Sequence, residues 1–359
     1  MNITIVGAGN IGTQFATHCA QKGHRVIVYS SKPELIQKRL SVVNEQNIEI
    51  YSGIIYLATK NEEKAFAEAD LIFITVPAYC MEDIADKIYP FVVQGMKICL
   101  VPGTGGGECA FKNCIEKGAI LLGIQRVPSV ARLVEYGRTV KAIGYRKELH
   151  VSALPAKSTI DCVQLLESIF DIKCVPLSNY LNLTLTPSNP ILHTTRLKTL
   201  FNDYKQGKVY KNIPLFYEDW DNKSSELLLK CDNEVQAICH GLYMFDLSQV
   251  KSLREHYESS TIEAMTKKIS SIAGFKGLKT PMIAAENGYI PDLLSRYFTA
   301  DFPYGLAILV QIAKMFDIQV PNMNDTLQWY YGITNSREGF KYTDYGIRSK
   351  DEFIAFYKI

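Results

Sequence analysis

In the first half of the chain, short apolar runs alternate with stretches of helical spacing. Asn2–Val6 is an apolar run, Thr13–Lys22 has the helical period, and His24–Tyr29 is apolar again. Asp70–Pro77 and Met96–Pro102 are further apolar runs closed by proline, and Ala119–Gly123 and Ala142–Gly144 read as later strands of the same sheet. Strands alternating with helices predict a parallel sheet joined by right-handed crossovers. Ligands of such sheets bind beyond the carboxyl ends of the strands, so Val76-Pro77 and Pro102-Gly103 are expected in a crevice. Near residue 180 the texture changes to helical spacing over Glu226–Leu242, Thr261–Ser271 and Tyr304–Phe316, with Asp219 or Asn222 as a cap for the first of these. The boundary falls between about 175 and 188 and predicts two domains, residues 1–178 and 182–359. Tyr342–Ile359 is too aromatic for a loose tail and is expected to pack back on the body.

The junction of the first run and the first helix reads Gly7-Ala-Gly9-Asn10-Ile11-Gly12. In a strand–turn–helix context, Gly7 permits the tight turn, Gly9 lets backbone approach a pyrophosphate and Gly12 lets the helix pack on the strand. The N–H groups and dipole of the helix N-terminus then face the phosphates. These five positions, with Val76, Pro77 and Gly103 toward the nicotinamide half, form a predicted dinucleotide site. The fold class is therefore α/β: an N-terminal Rossmann-type doubly wound parallel sheet, followed by a mainly α-helical C-terminal domain. An NAD site usually carries a carboxylate at the end of the second strand for the ribose hydroxyls. Here the stretch is Ser30-Ser31-Lys32, with no carboxylate before Glu34. Two hydroxyls and an ammonium suit a 2′-phosphate, so NADP is the expected preference, with NAD also possible.

Composition narrows the class. At 359 residues the chain suits two hydrophobic cores, and 47% hydrophobic with 21% charged residues is ordinary for a folded protein. A net charge of +2 without long single-sign runs suggests neither a nucleic-acid nor a membrane surface, and no apolar stretch is long enough to span a bilayer. The first strand leaves no room for a signal peptide, and nine scattered cysteines without a C-x-x-C pair suit reduced thiols, so a cytoplasmic protein without a structural metal is expected. Monomer and homodimer both stay open.

Of six histidines, His18 and His24 lie on or beside the first helix, His150 in a turn, and His240 and His256 on helical segments. His193 differs in its surroundings, Thr186-Pro-Ser-Asn189-Pro-Ile-Leu-His193, at the entry to the second domain where an interdomain cleft should open. A second cluster reads Arg296-Tyr-Phe-Thr-Ala-Asp301-Phe-Pro303-Tyr-Gly305-Leu306. With Leu100-Val-Pro-Gly103-Thr-Gly-Gly106, Phe216-Tyr-Glu, Asp232-Asn-Glu and Val320-Pro321, these motifs resemble, in order and over nearly the whole chain, the octopine/nopaline (opine) dehydrogenases.

The resemblance implies reductive condensation of an amino acid with a 2-oxo acid through an imine, so the partners are small molecules. It makes His193 the proton-transfer residue and Asp301 its orienting partner. Imidazole titrates near neutrality, and an adjacent carboxylate fixes its tautomer, so the chemistry agrees. Asp301 also reads as a helix N-cap ahead of Pro303. Arg296 is a candidate for a substrate carboxylate or a structural ion pair. Arg126 and Arg132, in the region that lines the substrate pocket of family members, are further carboxylate candidates, one of which could simply cover the sheet edge. The chain departs from the family's Thr-Glu-Asp-Val-Pro at Thr299-Ala300-Asp301-Phe302-Pro303, which changes the local charge. Two alternatives remain: a 2-dehydropantoate-reductase-like ketoacid reductase, for which Lys198-Thr-Leu-Phe-Asn202 would have to serve and which is disfavoured because it leaves the Asn189-Pro-Ile-Leu-His193 motif unexplained, and a non-catalytic NADP-binding sensor.

Overall fold

The computed structural model describes residues 1–187 and 189–359; Ser188 lies outside the described residues. The chain divides into two compact units, Met1–Thr184 with Ile354–Ile359, and Leu185–Phe353. The division falls after Thr184 rather than at 178–182, and the last six residues belong to the first unit, not the second. The physical reason is local: Thr184 and Tyr357 both donate to the buried carboxylate of Glu108, at 2.6 and 2.9 Å. Burial holds that carboxyl above its usual range.

The strands of the first unit are β1 (Asn2–Val6), β2 (Arg25–Tyr29), β3 (Arg39–Val43), β4 (Glu49–Ile54), β5 (Leu57–Thr59), β6 (Leu71–Ile74), β7 (Lys97–Leu100), β8 (Ile120–Ile124), β9 (Val130–Glu135), β10 (Thr139–Ile143), β11 (Glu148–Leu154) and β12 (Lys173–Pro176). Among the described residues, eight of them form one sheet in the order β12-β11-β8-β7-β6-β1-β2-β5. From β8 to β5 the pairing is parallel, as expected. The sheet as a whole is mixed, because β11 runs antiparallel to β8. A parallel return needs a long crossover, usually a helix. Between β8 and β11 the chain instead builds β9 and β10.

Those two strands belong to a second sheet, β4-β3-β10-β9, so Ala142–Gly144 is not a strand of the main sheet. Val140 and Ala142 face Val42 and Ala131 in a small core of their own, closed by Ile11 and Tyr51. In the main sheet, Leu71–Ile74 is buried throughout, as a strand covered on both faces must be. Phe15 of the Asn10–Gln21 helix meets Phe73 of β6 at 5.1 Å and Phe170 of the Thr159–Phe170 helix at 4.8 Å. Each such burial contributes roughly 1.5–3 kcal/mol and holds the first helix against the sheet.

The second unit is helical, with a hairpin of β13 (Met282–Ala285) and β14 (Gly288–Pro291). Its Asn222–Gly241 helix is capped by Asp221, whose side chain accepts from the Ser224 N–H, rather than by Asp219 or Asn222. Asp219 instead accepts from the Leu215 N–H. The Ile262–Ser270 helix starts on Thr261, and a π-helical turn, Phe302–Leu306, leads into the Ala307–Met315 helix. Asn189–Phe201 is also a helix, one with no polar stripe because most of its residues are buried. The Pro321–Thr334 helix lacks a cap of its own; Glu234 supplies one, accepting from the Asn322 and Met323 N–H groups.

Candidate active site

Strand register brings the predicted cofactor residues to one edge. Tyr29 pairs with Val6, Val6 with Ile74, Ile74 with Leu100, and Leu100 with Gly123. The turns that follow, Ser30–Lys32, Gly7–Gly9, Thr75–Pro77 and Val101–Gly103, therefore leave the sheet side by side. Gly7 has φ +102°, and a Cβ there would meet Thr75 Oγ1 at 2.9 Å. A Cβ on Gly12 would stand 1.9 Å from the Gly7 carbonyl oxygen, so helix and turn touch backbone to backbone. Gly9 faces open space, with nothing within 4 Å of where its Cβ would be, and no side chain caps the helix it begins. An open backbone approach to an uncapped helix N-terminus fits a dinucleotide pyrophosphate.

The Asn10 side-chain oxygen accepts from the Leu133 N–H at 2.8 Å and ties β9 to the helix start, which leaves only the Asn10 backbone for a phosphate. Ile11 packs against the small second core. Val76 Cγ1 would lie 3.1 Å from a Cβ on Gly7. Gly103 is buried, and Gly123, Leu183 and Tyr180 fill the space its side chain would take. Ser30 is buried; its Oγ accepts from the Lys32 N–H at 3.2 Å and lies 3.4 Å from the Tyr136 hydroxyl. Ser31 and Lys32 are exposed, and Lys32 has no ion-pair partner among the described residues.

In the second unit, the motif histidine and the motif aspartate meet although 108 residues separate them. His193, 4% exposed, places Nδ1 2.7 Å from Asp301 Oδ2. Its Nε2 lies 2.7 Å from the Tyr217 hydroxyl. The carboxylate only accepts, so Nδ1 carries a proton, which leaves Nε2 facing the Tyr217 hydroxyl. The rings of Phe216 and Tyr297 pack on the imidazole at 5.6 and 4.5 Å. Asp301 precedes the π-helical turn without making a side-chain cap bond, so its N-cap role is absent.

Two residues escaped sequence reasoning. Tyr217 stood in a quoted motif, Phe216-Tyr-Glu, with no role attached. Arg196, 1% exposed, carried no role in the sequence reading. It lies three positions beyond His193 on the same helical face. It donates to the carbonyls of Phe216 (3.1 Å) and Asp219 and to Ser224 Oγ (2.9 Å), and pairs with Asp221 at 3.5 Å. Arg196 thus holds the segment that presents Tyr217.

The remaining candidates are spread out. Arg296 is exposed and without an ion pair among the described residues, on the short helix Arg296–Thr299 that leads to Asp301. Arg126, half-buried, follows β8, and Arg132, exposed on β9, donates to the Ala131 carbonyl beside the Asn10 tie. The other histidines have structural partners: His18 Nε2 sits 2.8 Å from the Ile169 carbonyl, and His240 Nδ1 sits 2.7 Å from that of Gln236. Burial lowers the His18 pKa. His150 lies in β11 rather than in a turn.

Comparison with known proteins follows the same division. The NAD/NADP octopine/nopaline dehydrogenase alpha-helical domain matches residues 176–334, and an NADP oxidoreductase, coenzyme F420-dependent, domain matches residues 2–95. Octopine dehydrogenase of Pecten maximus is 25% identical over 76% of this chain and 71% of its own. Opine dehydrogenase of Arthrobacter sp. (strain 1C) is 27% identical over 90% of this chain and 88% of its own. A solved octopine dehydrogenase with NADH and L-arginine shares the fold, with a TM-score of 0.85 at 21% identity over 98% of this chain and 97% of that one. With a Rossmann-type unit and a helical unit that matches the octopine/nopaline dehydrogenase alpha-helical domain, the chain is similar over most of its length to octopine/opine dehydrogenases, which are NAD(P)-dependent oxidoreductases.

Proposed function

We propose that the protein catalyses the reductive condensation of an amino acid with a 2-oxo acid, with His193 as general acid and base and Asp301 as its orienting partner. The observation that carries this reading is the 2.7 Å contact of His193 Nδ1 with Asp301 Oδ2 inside a buried aromatic surround. Related octopine dehydrogenase structures hold NADH with L-arginine, agmatine or pyruvate, and these substrate classes support the same reading here.

The substrate amine arrives as an ammonium group and must lose a proton to become a nucleophile. His193 takes that proton at Nε2, and Asp301 stabilises the imidazolium. The free amine adds to the keto carbon, giving a carbinolamine. His193 returns the proton to the carbinolamine oxygen, water leaves and the iminium forms, so the borrowed proton is restored within one turnover. Such acid–base assistance is worth about 10²–10⁴ in rate. The bound nicotinamide supplies the hydride that reduces the iminium carbon. Gly7–Gly12 hold its pyrophosphate, and Val76, Pro77 and Gly103 line its nicotinamide half. Arg296, on the segment leading to Asp301, takes a substrate carboxylate; Arg126 and Arg132 are second candidates. Ser31 and Lys32 favour NADP, since their exposed hydroxyl and ammonium suit a 2′-phosphate and no carboxylate stands beside them, while the buried Ser30 braces the turn through the Lys32 N–H.

A ketoacid reductase using a lysine is the second reading, and Lys198 argues against it. This buried ammonium is ion-paired with Asp325. The test is product analysis: purified protein with NADPH or NADH, pooled amino acids, and pyruvate or 2-oxoglutarate. The expected product has the mass of amine plus keto acid, less water, plus two hydrogens, and is absent with His193→Ala. Cofactor oxidation with keto acid alone would move the assignment to the ketoacid reductase, and tight cofactor binding without turnover to a sensor.

A further inference from the structure

We infer that Tyr217 is the proton relay between His193 and the reacting substrate, an inference that rests on the reading above. The position of the imidazole leads to it. Nδ1 is committed to Asp301, and the ring is packed by Phe216 and Tyr297. The remaining polar atom, Nε2, has the Tyr217 hydroxyl at 2.7 Å, where a substrate proton would otherwise have to arrive. Tyr217 is held there. Its ring stacks on Phe275 at 4.2 Å and 20°, runs parallel to Trp220 at 6.4 Å, and meets Phe216 edge-on at 4.9 Å. On either side of it, the Phe216 and Asp219 carbonyls accept from the buried Arg196, and the Glu218 carboxylate accepts from the Gly277 N–H at 2.5 Å. A ring pinned on both sides does not swing away to admit substrate to Nε2. A phenol has one proton and two lone pairs, so it can give a proton to Nε2 while accepting one from elsewhere.

The steps balance without any added reactant. As the substrate ammonium passes a proton to the Tyr217 oxygen, the phenolic proton moves to Nε2, leaving a neutral amine, a neutral tyrosine and an imidazolium. When the carbinolamine dehydrates, Nε2 returns its proton to the tyrosine oxygen while the phenolic proton moves to the carbinolamine oxygen. The carbon–oxygen bond breaks and water leaves. Tyr217 is unchanged at each stage. Because the two protons move together, neither a phenolate nor a protonated phenol accumulates.

The experiment is steady-state kinetics of Tyr217→Phe, which keeps the ring and its stacking, together with rates in mixtures of H2O and D2O. The relay predicts a fall in kcat of about 10²-fold with KM values and NAD(P)H affinity little changed. It also predicts a curved dependence of kcat on deuterium fraction in the wild type, from two protons in flight, that becomes linear in the variant. A kcat within about threefold of wild type, or a linear dependence in the wild type, overturns the relay while leaving His193 and Asp301 in place. If Tyr217→Phe does not fold, the wild-type curve alone decides. Absence of any condensation product from the wild type overturns the proposed function itself, and the relay with it.

Discussion

The phosphate turn and the histidine site are built from different material. Between Gly7 and Gly12 the proposed working groups are backbone N–H groups at an uncapped helix start, and side chains matter mainly by their absence. Around His193 the proposed working groups are side chains, buried and brought together from three separate stretches of the second unit. A backbone site needs only local geometry and tolerates solvent, because the ligand brings its own charge. A side-chain acid–base site needs neighbours that fix the tautomer and exclude water. In such a site each polar group must find a partner, and a lost partner leaves a buried group unsatisfied at about 1–3 kcal/mol.

That contrast can be broken or sharpened experimentally. The largest effect belongs to the side-chain site: His193→Asn is expected to lower kcat by about 10²–10⁴-fold while NAD(P)H titration by fluorescence stays at wild-type affinity. A fall smaller than tenfold would place the acid–base group elsewhere. Next comes a pair of glycine variants at the backbone site. Gly12→Ala forces a Cβ to within 1.9 Å of the Gly7 carbonyl and is expected to cost about 1–3 kcal/mol, lowering both Tm and cofactor affinity. Gly9→Ala places its Cβ in open space and should leave Tm unchanged while weakening cofactor binding alone. Equal effects on Tm would mean the turn is not held as described.

A third test concerns the buried charge that the second unit tolerates. Asp232 is fully buried, its Oδ2 accepts from the Leu253 N–H, and burial pushes its pKa from 3.8 to about 6. A raised carboxyl pKa means the folded state favours the protonated form. Its stabilising contribution is therefore present at pH below about 4 and is lost as pH rises through 6. Asp232→Asn should remove that dependence and raise stability at pH 7–8 by about 2 kcal/mol, read from denaturation midpoints. A wild-type stability that rises between pH 4 and 7, with no change in slope in the variant, would count against it. The smallest effect is at the ribose end. Lys32→Ala should raise KM for NADPH about tenfold, as loss of a charge-assisted bond does, and leave KM for NADH unchanged. Parallel changes for the two cofactors would show that Lys32 does not select between them.

These differences also explain what was legible in the chain. The β1–helix–β2 segment with its three glycines could be read because each residue's requirement is local: a positive φ at Gly7, an open approach at Gly9, a backbone contact at Gly12. The apolar runs at β6, β7 and β8 were visible because strands covered on both faces are continuously hydrophobic. The second sheet was not visible, since Val140 and Ala142 have the same composition whichever sheet they join. The Asn189–Phe201 helix was recognised as a motif and not as a helix, because burial on nearly every side erases the amphipathic period.

The histidine site shows the same limit more sharply. His193 and Asp301 were named from their motifs, yet no spacing in the chain says that residues 108 apart meet. Tyr217 had a motif without a role, and Arg196 had neither, because both act through positions that folding assigns. By itself the sequence determined the elements with local causes: the strand–turn–helix of the cofactor unit, the helical texture of the second, and the residue types able to move a proton. Only the tertiary structure decided which strands share a sheet, where the first unit ends, and that Asp301 and Tyr217 converge on the helix carrying His193 and Arg196. The reason is that backbone conformation is set by neighbours in sequence, whereas the partners of a buried polar group are set by the packing of distant segments.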